Sequence, residues 1–226
     1  MDLIQKNAKA QLTIPVATVN PETFACVPEP LNTDGFNKIA KIPYGCTIDH
    51  IKAAMQNFID FLNFINVQLS TKKIQRLESF IMPANFSSLV GEFMTATIPK
   101  HCPTLVKNKY HNGHPDMLPK GKFKNDSKLH AAKGIEIKAS RHTSGWQGHN
   151  AENVWLMVFV FDSNTARDEG LLIAPKPFRF VKVVGAQLTK TDWAFSGRSE
   201  TSRRTITASV TQTGYQKMQK NWIYRA

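Results

Sequence analysis

The sequence predicts an α/β (α+β) protein built as one domain, in which helices flank a central mixed β-sheet. Three observations carry this prediction. An amphipathic helical period begins near residue 47, three β-type segments follow residue 130, and the 226 residues are 42% hydrophobic. A chain of this length and composition can fill a sizeable core.

The first 45 residues are predicted to form an extended, irregular arm. They contain Pro15, Pro21, Pro28, Pro30 and Pro43. Proline lacks the backbone donor that a helix interior needs, so this spacing leaves no room for a long helix. The arm is expected to lie over the surface of the domain.

Residues 47–98 are predicted to be helical. Apolar residues recur at alternating steps of three and four from Ile48 to Leu69, as in an amphipathic helix that Thr47 or Asp49 can cap. Two shorter helices are expected at 72–81 and 87–98, separated at Pro83. The first helix also offers a dimer seam, but the flanking residues Ile59, Phe61 and Phe64 widen its apolar face and favour a core helix.

Residues 110–186 are predicted to supply the sheet, with strands at 134–140, 154–161 and 178–186. The middle segment, from Val154 to Phe161, is apolar throughout, as expected of a central strand buried on both faces. A further strand with one solvated face is predicted within 203–211, where small or apolar residues alternate with hydroxyls.

The charge of the chain favours a partner rich in phosphate. Lysine and arginine number 29 against 17 aspartates and glutamates, which gives a net charge of +12. Residues 176–226 alone hold 10 basic and 2 acidic side chains, or +8 of that total. Because these charges alternate with Thr, Ser and Gln, a nucleic acid fits better than a membrane surface.

No apolar run reaches the roughly 18 to 20 residues of a membrane span, and the first residues lack the apolar core of a secretory signal. A cytoplasmic protein is therefore expected. The cysteines Cys26, Cys46 and Cys102 are odd in number and distant in sequence, without a Cys-x-x-Cys pair. They predict free thiols, with neither a disulfide framework nor a structural zinc site.

Two segments carry the chemistry. One is His114-Pro115-Asp116-Met117, and the other, twenty residues beyond the aspartate, is the strand Gly134-Ile135-Glu136-Ile137-Lys138-Ala139-Ser140. An aspartate after proline, followed by Glu-x-Lys within a short apolar strand, resembles the PD-(D/E)xK nuclease superfamily. The small chain is similar to an orthodox type II restriction endonuclease.

This resemblance implies a restriction-endonuclease-like core and a homodimer acting on double-stranded DNA in a prokaryotic cell. It also implies a Mg²⁺ site formed by Asp116, Glu136 and the main-chain carbonyl of Ile137, with Lys138 as the third catalytic residue. Glu92, on the helix upstream, matches a position where many members of the superfamily place another metal-linked carboxylate.

Elementary chemistry accounts for these residue types. Hydrolysis of a phosphodiester needs a neutralised phosphate and a hydroxide-like nucleophile, which hard divalent ions held by oxygen ligands can supply. Alternation along a strand places Glu136 and Lys138 on one face and turns Ile135 and Ile137 into the core. The ammonium of Lys138 would lower the pKa of the attacking water and stabilise the negative transition state.

Other interpretations of the motif remain open. Asp126-Ser127-Lys128 also matches acid-x-Lys, but no apolar alternation surrounds it, so Glu136 and Lys138 are preferred. The Glu136 segment could instead be a plain edge strand with solvated charges. An HNH-type site at His111-Asn112-Gly113-His114 is disfavoured, because that motif needs residues spread over a hairpin and a helix.

DNA contacts are expected from two regions. The loop after the catalytic strand offers Arg141, His142, Gln147 and His149. The basic segment 187–226 offers side chains that read base edges or bind phosphates, namely Arg198, Arg203, Arg204, Gln212 and Lys217. The predicted function is sequence-specific cleavage of double-stranded DNA, with a repair or junction-resolving nuclease and a non-catalytic DNA-binding protein as alternatives.

Overall fold

The computed structural model describes residues 20–148, 150–168, 170–195 and 207–226. It is a mixed α+β fold around a mixed six-stranded sheet flanked by helices. The strand order is β1-β2-β3-β5-β6-β9, in which only β3 and β5 run parallel. The strands are β1 (Leu105–Lys107), β2 (Met117–Pro119), β3 (Ile135–Ser140), β5 (Val154–Asp162), β6 (Arg179–Leu188) and β9 (Trp222–Arg225). A second, antiparallel sheet contains β4 (Gln147–Gly148), β8 (Ala208–Val210) and β7 (Trp193–Phe195).

The long helix α2 (Ile48–Thr71) confirms the strongest helical prediction. Thr47 caps it: its hydroxyl accepts a hydrogen bond from the His50 amide, and the His50 ring accepts one from the Thr47 amide. Most of the apolar stripe packs in the core. Of the residues expected to widen its apolar face, Phe61 packs against Phe93 at 5.1 Å between ring centroids, whereas the Phe64 side chain is exposed.

The predicted helix at 72–81 is wrong over most of its length. Only α3 (Leu77–Phe80) is helical, because the chain turns at Lys73, whose φ is +56°. The helix α4 (Pro83–His101) begins earlier than predicted. Pro83 starts this helix instead of separating two, since the first turn of a helix needs no donor from its backbone nitrogen.

The central strand β5 divides the core into two layers, and its predicted burial on both faces is confirmed. Trp155, Met157, Phe159 and Phe161 pack with α2 and α4. The intervening valines and leucine pack on the other face with Trp146, Trp193 and Met218 of the second layer. The alternation places helices against one face of the sheet and the small sheet with α5 (Gln212–Lys220) against the other.

The C-terminal segment contributes a helix and a strand to the fold, which the sequence analysis did not predict. Its end forms α5 and then β9, which pairs with β6 in the main sheet. Tyr224 is 1% exposed and its hydroxyl accepts a hydrogen bond from the Asn32 amide, which holds the N-terminal arm. The described part of the arm, residues 20–45, is mostly irregular, apart from α1 (Pro21–Ala25) and single turns. Of the strand predicted at 203–211, the described part is β8.

Among the described residues, none of the helices combines the length and the apolar character that crossing a bilayer would need.

A buried arginine holds together three distant parts of the chain. Arg76 is 2% exposed and makes ion pairs of 3.0 Å with both Glu22 and Glu78. Its guanidinium also donates to Asn164 Oδ1 at 2.9 Å and to the Lys176 carbonyl at 2.9 Å. Burial raises the pKa of Glu78, while Asn66 and Arg76 act to lower it, so the carboxylate depends on these donors.

Arg76→Ala is therefore expected to lower the free energy of unfolding by about 3–5 kcal/mol, because it leaves Glu78 buried without its cation. Urea denaturation of the full chain measures the loss. The matched control is Arg179→Ala, which removes a half-exposed guanidinium 3.8 Å from Asp162 and should cost less than about 1 kcal/mol. Equal losses for the two variants would contradict the role given to Arg76.

Candidate active site

The site forms where β2 and β3 diverge. The two strands share one pair, Met117 with Ile135, and beyond it no other described strand pairs with that edge of β3. There the Asp116 carboxylate accepts a hydrogen bond from the Ile137 amide at 2.8 Å. In a paired strand this acceptor would be a backbone carbonyl of the neighbouring strand. Gly134 permits the close approach: its φ is +151°, and a Cβ would collide with the Met117 carbonyl and the Pro115 ring.

Glu136 and Lys138 lie together on β3, as the alternation predicts. Ile135 and Ile137 are buried in the helix-facing core. The Lys138 Nζ lies 2.9 Å from Glu136 Oε1, and the Asp116 amide donates to Glu136 Oε2 at 3.3 Å. The aspartate from before β2 and the glutamate from β3, twenty residues apart in sequence, therefore meet at one place.

Two further side chains join this group that the sequence interpretation did not include. His114 Nδ1 lies 3.0 Å from Glu136 Oε2, and its Nε2 contacts Glu152 Oε2 closely. Glu152 precedes β5, the parallel neighbour of β3, so the sheet brings it to the same side. The sequence held one usable signal for it, an acidic residue two positions before the most apolar strand.

The charges in the group are strongly coupled. Burial and the nearby Glu136 raise the pKa of Asp116 to about 7. Burial also acts to raise the pKa of Glu136, but His114 and Lys138 outweigh it and lower that pKa to about 2. Burial opposes the positive charge of Lys138 and His114, yet their carboxylate partners hold both pKa values above the ordinary ones. Glu136 is thus the ionised centre of the group.

The carboxylates open into a cavity of about 1060 Å³. Asp116, Glu136 and Lys138 line it together with Lys107, Lys109 and Lys120 of the lysine-rich stretch around β1 and β2. We call these last three residues the lysine rim. A smaller cavity on the other side of Glu136 is lined by Gly148 and Trp193 of the small sheet, which brings that sheet to the site.

Glu92 lies at the exposed surface of α4. Its side chain is 69% exposed and pairs with Lys107 at 2.8 Å. Glu92 nevertheless lines the large cavity and an adjoining one of about 200 Å³ that also includes Asp116 and Ile137. Its role as a further metal ligand therefore stays a prediction.

Five of the nine residues predicted to bind DNA are described, and the loop after β3 lies next to the α5 region, since Gln147 pairs with Ser209 of β8. His142, Gln147 and Gln212 are exposed. Arg141 donates to the Ser163 carbonyl at 2.8 Å, and Lys217 pairs with the buried Asp192 at 2.7 Å, so both already have internal partners. His149, Arg198, Arg203 and Arg204 lie outside the described residues.

The alternative acid-x-Lys triplet does not lie on a strand. Asp126 ends the single turn 124–126, and its carboxylate accepts a hydrogen bond from the Gly121 amide at 2.8 Å. It also lies 3.6 Å from Lys109 Nζ. This geometry separates it from Glu136 and Lys138, whose strand aligns both side chains on one face.

Comparison of the chain with known protein families, curated proteins and solved structures finds no significant match.

The oxygen donors of Asp116 and Glu136 suit a hard divalent cation such as Mg²⁺. An ion between them would offset the burial and the repulsion from Glu136 that raise the pKa of Asp116. The donor set of the site therefore fits the metal that the resemblance implies.

Asp116→Asn should change the stability of the metal-free protein and its stabilisation by metal in opposite directions. In the folded protein the pKa of Asp116 is raised from its ordinary value of 3.8 to about 7. The stability that comes from a protonated Asp116 is therefore fully present below pH 3.8 and is lost as the pH rises through about 7. The amide keeps the acceptor for Ile137 but cannot ionise, so without metal the variant should be more stable than the wild type above pH 7.

With Mg²⁺ or Mn²⁺ this difference in stability should shrink. An ion at 100 times its dissociation constant stabilises the native wild type by about 2.7 kcal/mol, whereas Asp116→Asn should gain little. Thermal denaturation with and without metal measures both effects. Asp126→Asn is the matched control and should keep the metal-dependent gain. An equal gain in Asp116→Asn would place the ion elsewhere.

Proposed function

We propose that the chain is a Mg²⁺-dependent, sequence-specific endonuclease of double-stranded DNA, with a PD-(D/E)xK-type site on a restriction-endonuclease-like core. The observation that carries the proposal is the convergence of Asp116 and Glu136 at the diverging edge of β3, with Lys138 paired to Glu136 at 2.9 Å. The site opens to the largest of the cavities described above, whose rim is basic.

The side chains divide the chemistry between them. Asp116, Glu136 and the Ile137 carbonyl would hold the ion, which when bound neutralises the phosphate and lowers the pKa of water. Lys138 retains its proton beside Glu136, so it acts as a positive charge that orients the attacking water and stabilises the negative phosphorane. His114, set between Glu136 and Glu152, holds the Glu136 carboxylate in place.

The lysine rim supports a phosphodiester as the substrate. Lys107, Lys109 and Lys120 line the same cavity as the carboxylates, so a phosphate backbone that enters it would pass these ammonium groups before reaching Asp116. The basic C-terminal segment and the loop after β3 are proposed to add contacts that fix the register on the duplex. The carboxylates and Lys138 alone would suit several substrates, and it is the lysines around them that favour a nucleic acid.

A palindromic duplex presents two equivalent bonds, which a two-fold homodimer would cut together. We therefore propose a homodimer. Most of α2 packs inside the molecule, and the exposed Phe64 and Val67 are what remain of its apolar face.

Phe64→Asp should reduce the light-scattering mass from about twice 25.4 kDa to a single chain if this face is the seam. A wild type that is monomeric both free and on DNA would contradict the dimer.

The test of the function is a cleavage gel. Purified chain is incubated with plasmid or phage DNA and Mg²⁺, and with a four-way junction in parallel. Discrete bands from the plasmid are the expected result. Preference for the branched substrate would support the repair or junction-resolving alternative, and intact DNA with retained binding would support the non-catalytic one.

Asp116→Asn, Glu136→Gln and Lys138→Met should each abolish cleavage while binding persists. Loss of a metal ligand is expected to reduce the rate by more than about 10³-fold, and loss of the Lys138 charge by about 10²- to 10³-fold. Single-turnover cleavage rates measure these losses. Lys128→Met, in the second acid-x-Lys triplet, is the matched control and should cut normally. Wild-type rates in Glu136→Gln would overturn the site.

The lysine rim should set part of the salt dependence of DNA binding. Replacing both Lys109 and Lys120 with alanine should reduce the slope of log K against log salt by about 1.8, since each phosphate contact contributes about 0.9. Fluorescence anisotropy over a range of salt measures the slope. Lys72→Ala with Lys73→Ala removes two lysines outside the cavity and should change it less. Equal slopes in the two double variants would remove the rim from the DNA interface.

A further inference from the structure

A second group of metal-binding side chains lies outside the candidate active site. Cys46 stands directly before the cap of α2, His50 is in the first turn of that helix, and Cys102 follows the end of α4. The two sulfurs and a ring nitrogen of His50 lie within 4.8 Å of one another. The two cysteines are 5% and 0% exposed, and the histidine is half-buried.

The surrounding backbone holds the two cysteine segments together. The Thr104 hydroxyl donates to the Tyr44 carbonyl at 2.5 Å and lies 3.2 Å from Cys102 Sγ. Tyr44 and Gly45 both have positive φ, and this turn brings Cys46 back towards α4. The ligand atoms are thus brought together by contacts that involve none of the catalytic carboxylates.

We infer that Cys46, His50 and Cys102 form a binding site for a soft d¹⁰ cation, Zn²⁺, with two thiolates, one imidazole and an exogenous fourth ligand. Thiolate and imidazole are the donors that zinc prefers, whereas Mg²⁺ prefers oxygen. Ligands about 2.0–2.3 Å from a tetrahedral zinc ion are roughly 3.5–4 Å apart, so small side-chain movements suffice. This site is therefore chemically distinct from the Asp116–Glu136 pair.

Binding has a consequence for the cap of α2. His50 Nδ1 now accepts a hydrogen bond from the Thr47 amide at 3.1 Å. If Nδ1 binds the ion, this lone pair is taken; if Nε2 binds it, the ring proton moves to Nδ1. Either way the Thr47 amide loses its acceptor, while the hydrogen bond from the His50 amide to the Thr47 hydroxyl remains. Zinc would thus exchange half of the capping box for a link between α2 and α4.

The proposed zinc site is also connected to the catalytic strand β3 through a hydrogen bond of Tyr44. The Tyr44 hydroxyl accepts a hydrogen bond from the Gly134 amide at 3.0 Å, immediately before β3. A metal link at Cys46 would therefore fix the turn that holds the start of this strand. Its role is structural, and it takes part in no reaction.

The test is a Co²⁺ titration of the reduced, metal-free full-length chain. Cobalt held by thiolates gives a sulfur-to-metal charge-transfer absorption that cobalt held by carboxylates does not give. We expect this absorption to saturate at one equivalent and to disappear on addition of Zn²⁺. It should be lost, or its dissociation constant raised by more than about 100-fold, in Cys46→Ser, Cys102→Ser and His50→Gln.

The controls separate this inference from the proposed function. Cys26→Ser alters the other buried free cysteine and should keep the full absorption. Glu136→Gln should keep it too, whether or not the chain cuts DNA. His50→Gln retains a capping side chain at the third helical position, so its circular dichroism should match that of the wild type.

Three results would overturn the inference. One is a reduced wild type without charge-transfer absorption at any cobalt concentration. Another is an unchanged titration in Cys46→Ser. The third is a Cys46–Cys102 disulfide in the isolated chain whose reduction restores two thiols but no metal uptake, which would assign the pair to oxidation instead.

Discussion

The open edge of β3 is the constraint on which the rest of the site depends. Because β2 pairs with β3 at a single position, the Ile137 amide must find its acceptor in a side chain, and Asp116 supplies it. This one hydrogen bond places the Asp116 carboxylate beside Glu136, in a partly buried position where two negative charges repel. Lys138 and His114 offset that repulsion at Glu136, and Asp116 is left with a raised pKa. A divalent cation would resolve the same conflict, which is why the geometry fits metal-dependent chemistry.

Local patterns sufficed to predict the elements that carry this arrangement. The period of α2, the apolar run of β5 and the alternation in β3 each follow from side-chain periodicity alone, and all three were confirmed. The helix predicted at 72–81 was too long, since α2 ends in a turn at Lys73 in which the Lys73 and Ile74 amides donate to the Ser70 and Leu69 carbonyls, and apolar periodicity does not report such a turn. The helix α5 and strand β9 were missed because α5 is short and mostly polar and β9 has only four residues, too few to show a clear period.

Long-range contacts account for what the sequence could not indicate about the two sites. His114 reaches Glu136 from the segment before β2, and Glu152 reaches His114 because β5 runs parallel to β3. Cys46 meets Cys102 between the start of α2 and the end of α4. The net charge of the chain favoured a phosphate-rich partner but did not indicate which basic residues lie near the carboxylates. The basic tail drew attention to residues 187–226, whereas the lysine rim that borders the carboxylates comes from around β1 and β2. Some of the tail's residues instead hold the fold, as the pair of Lys217 with Asp192 illustrates.

The central claim is that Asp116 and Glu136 hold a divalent ion at the edge of β3. Anomalous scattering from crystals of the reduced chain grown with Mn²⁺ and a short DNA duplex tests it most directly. The account predicts an anomalous peak within about 2.0–2.6 Å of oxygens from both carboxylates, with a phosphate of the duplex as a further ligand. Anomalous density elsewhere, with Glu136 still bound to Lys138 and His114 and no ion beside it, would contradict the account.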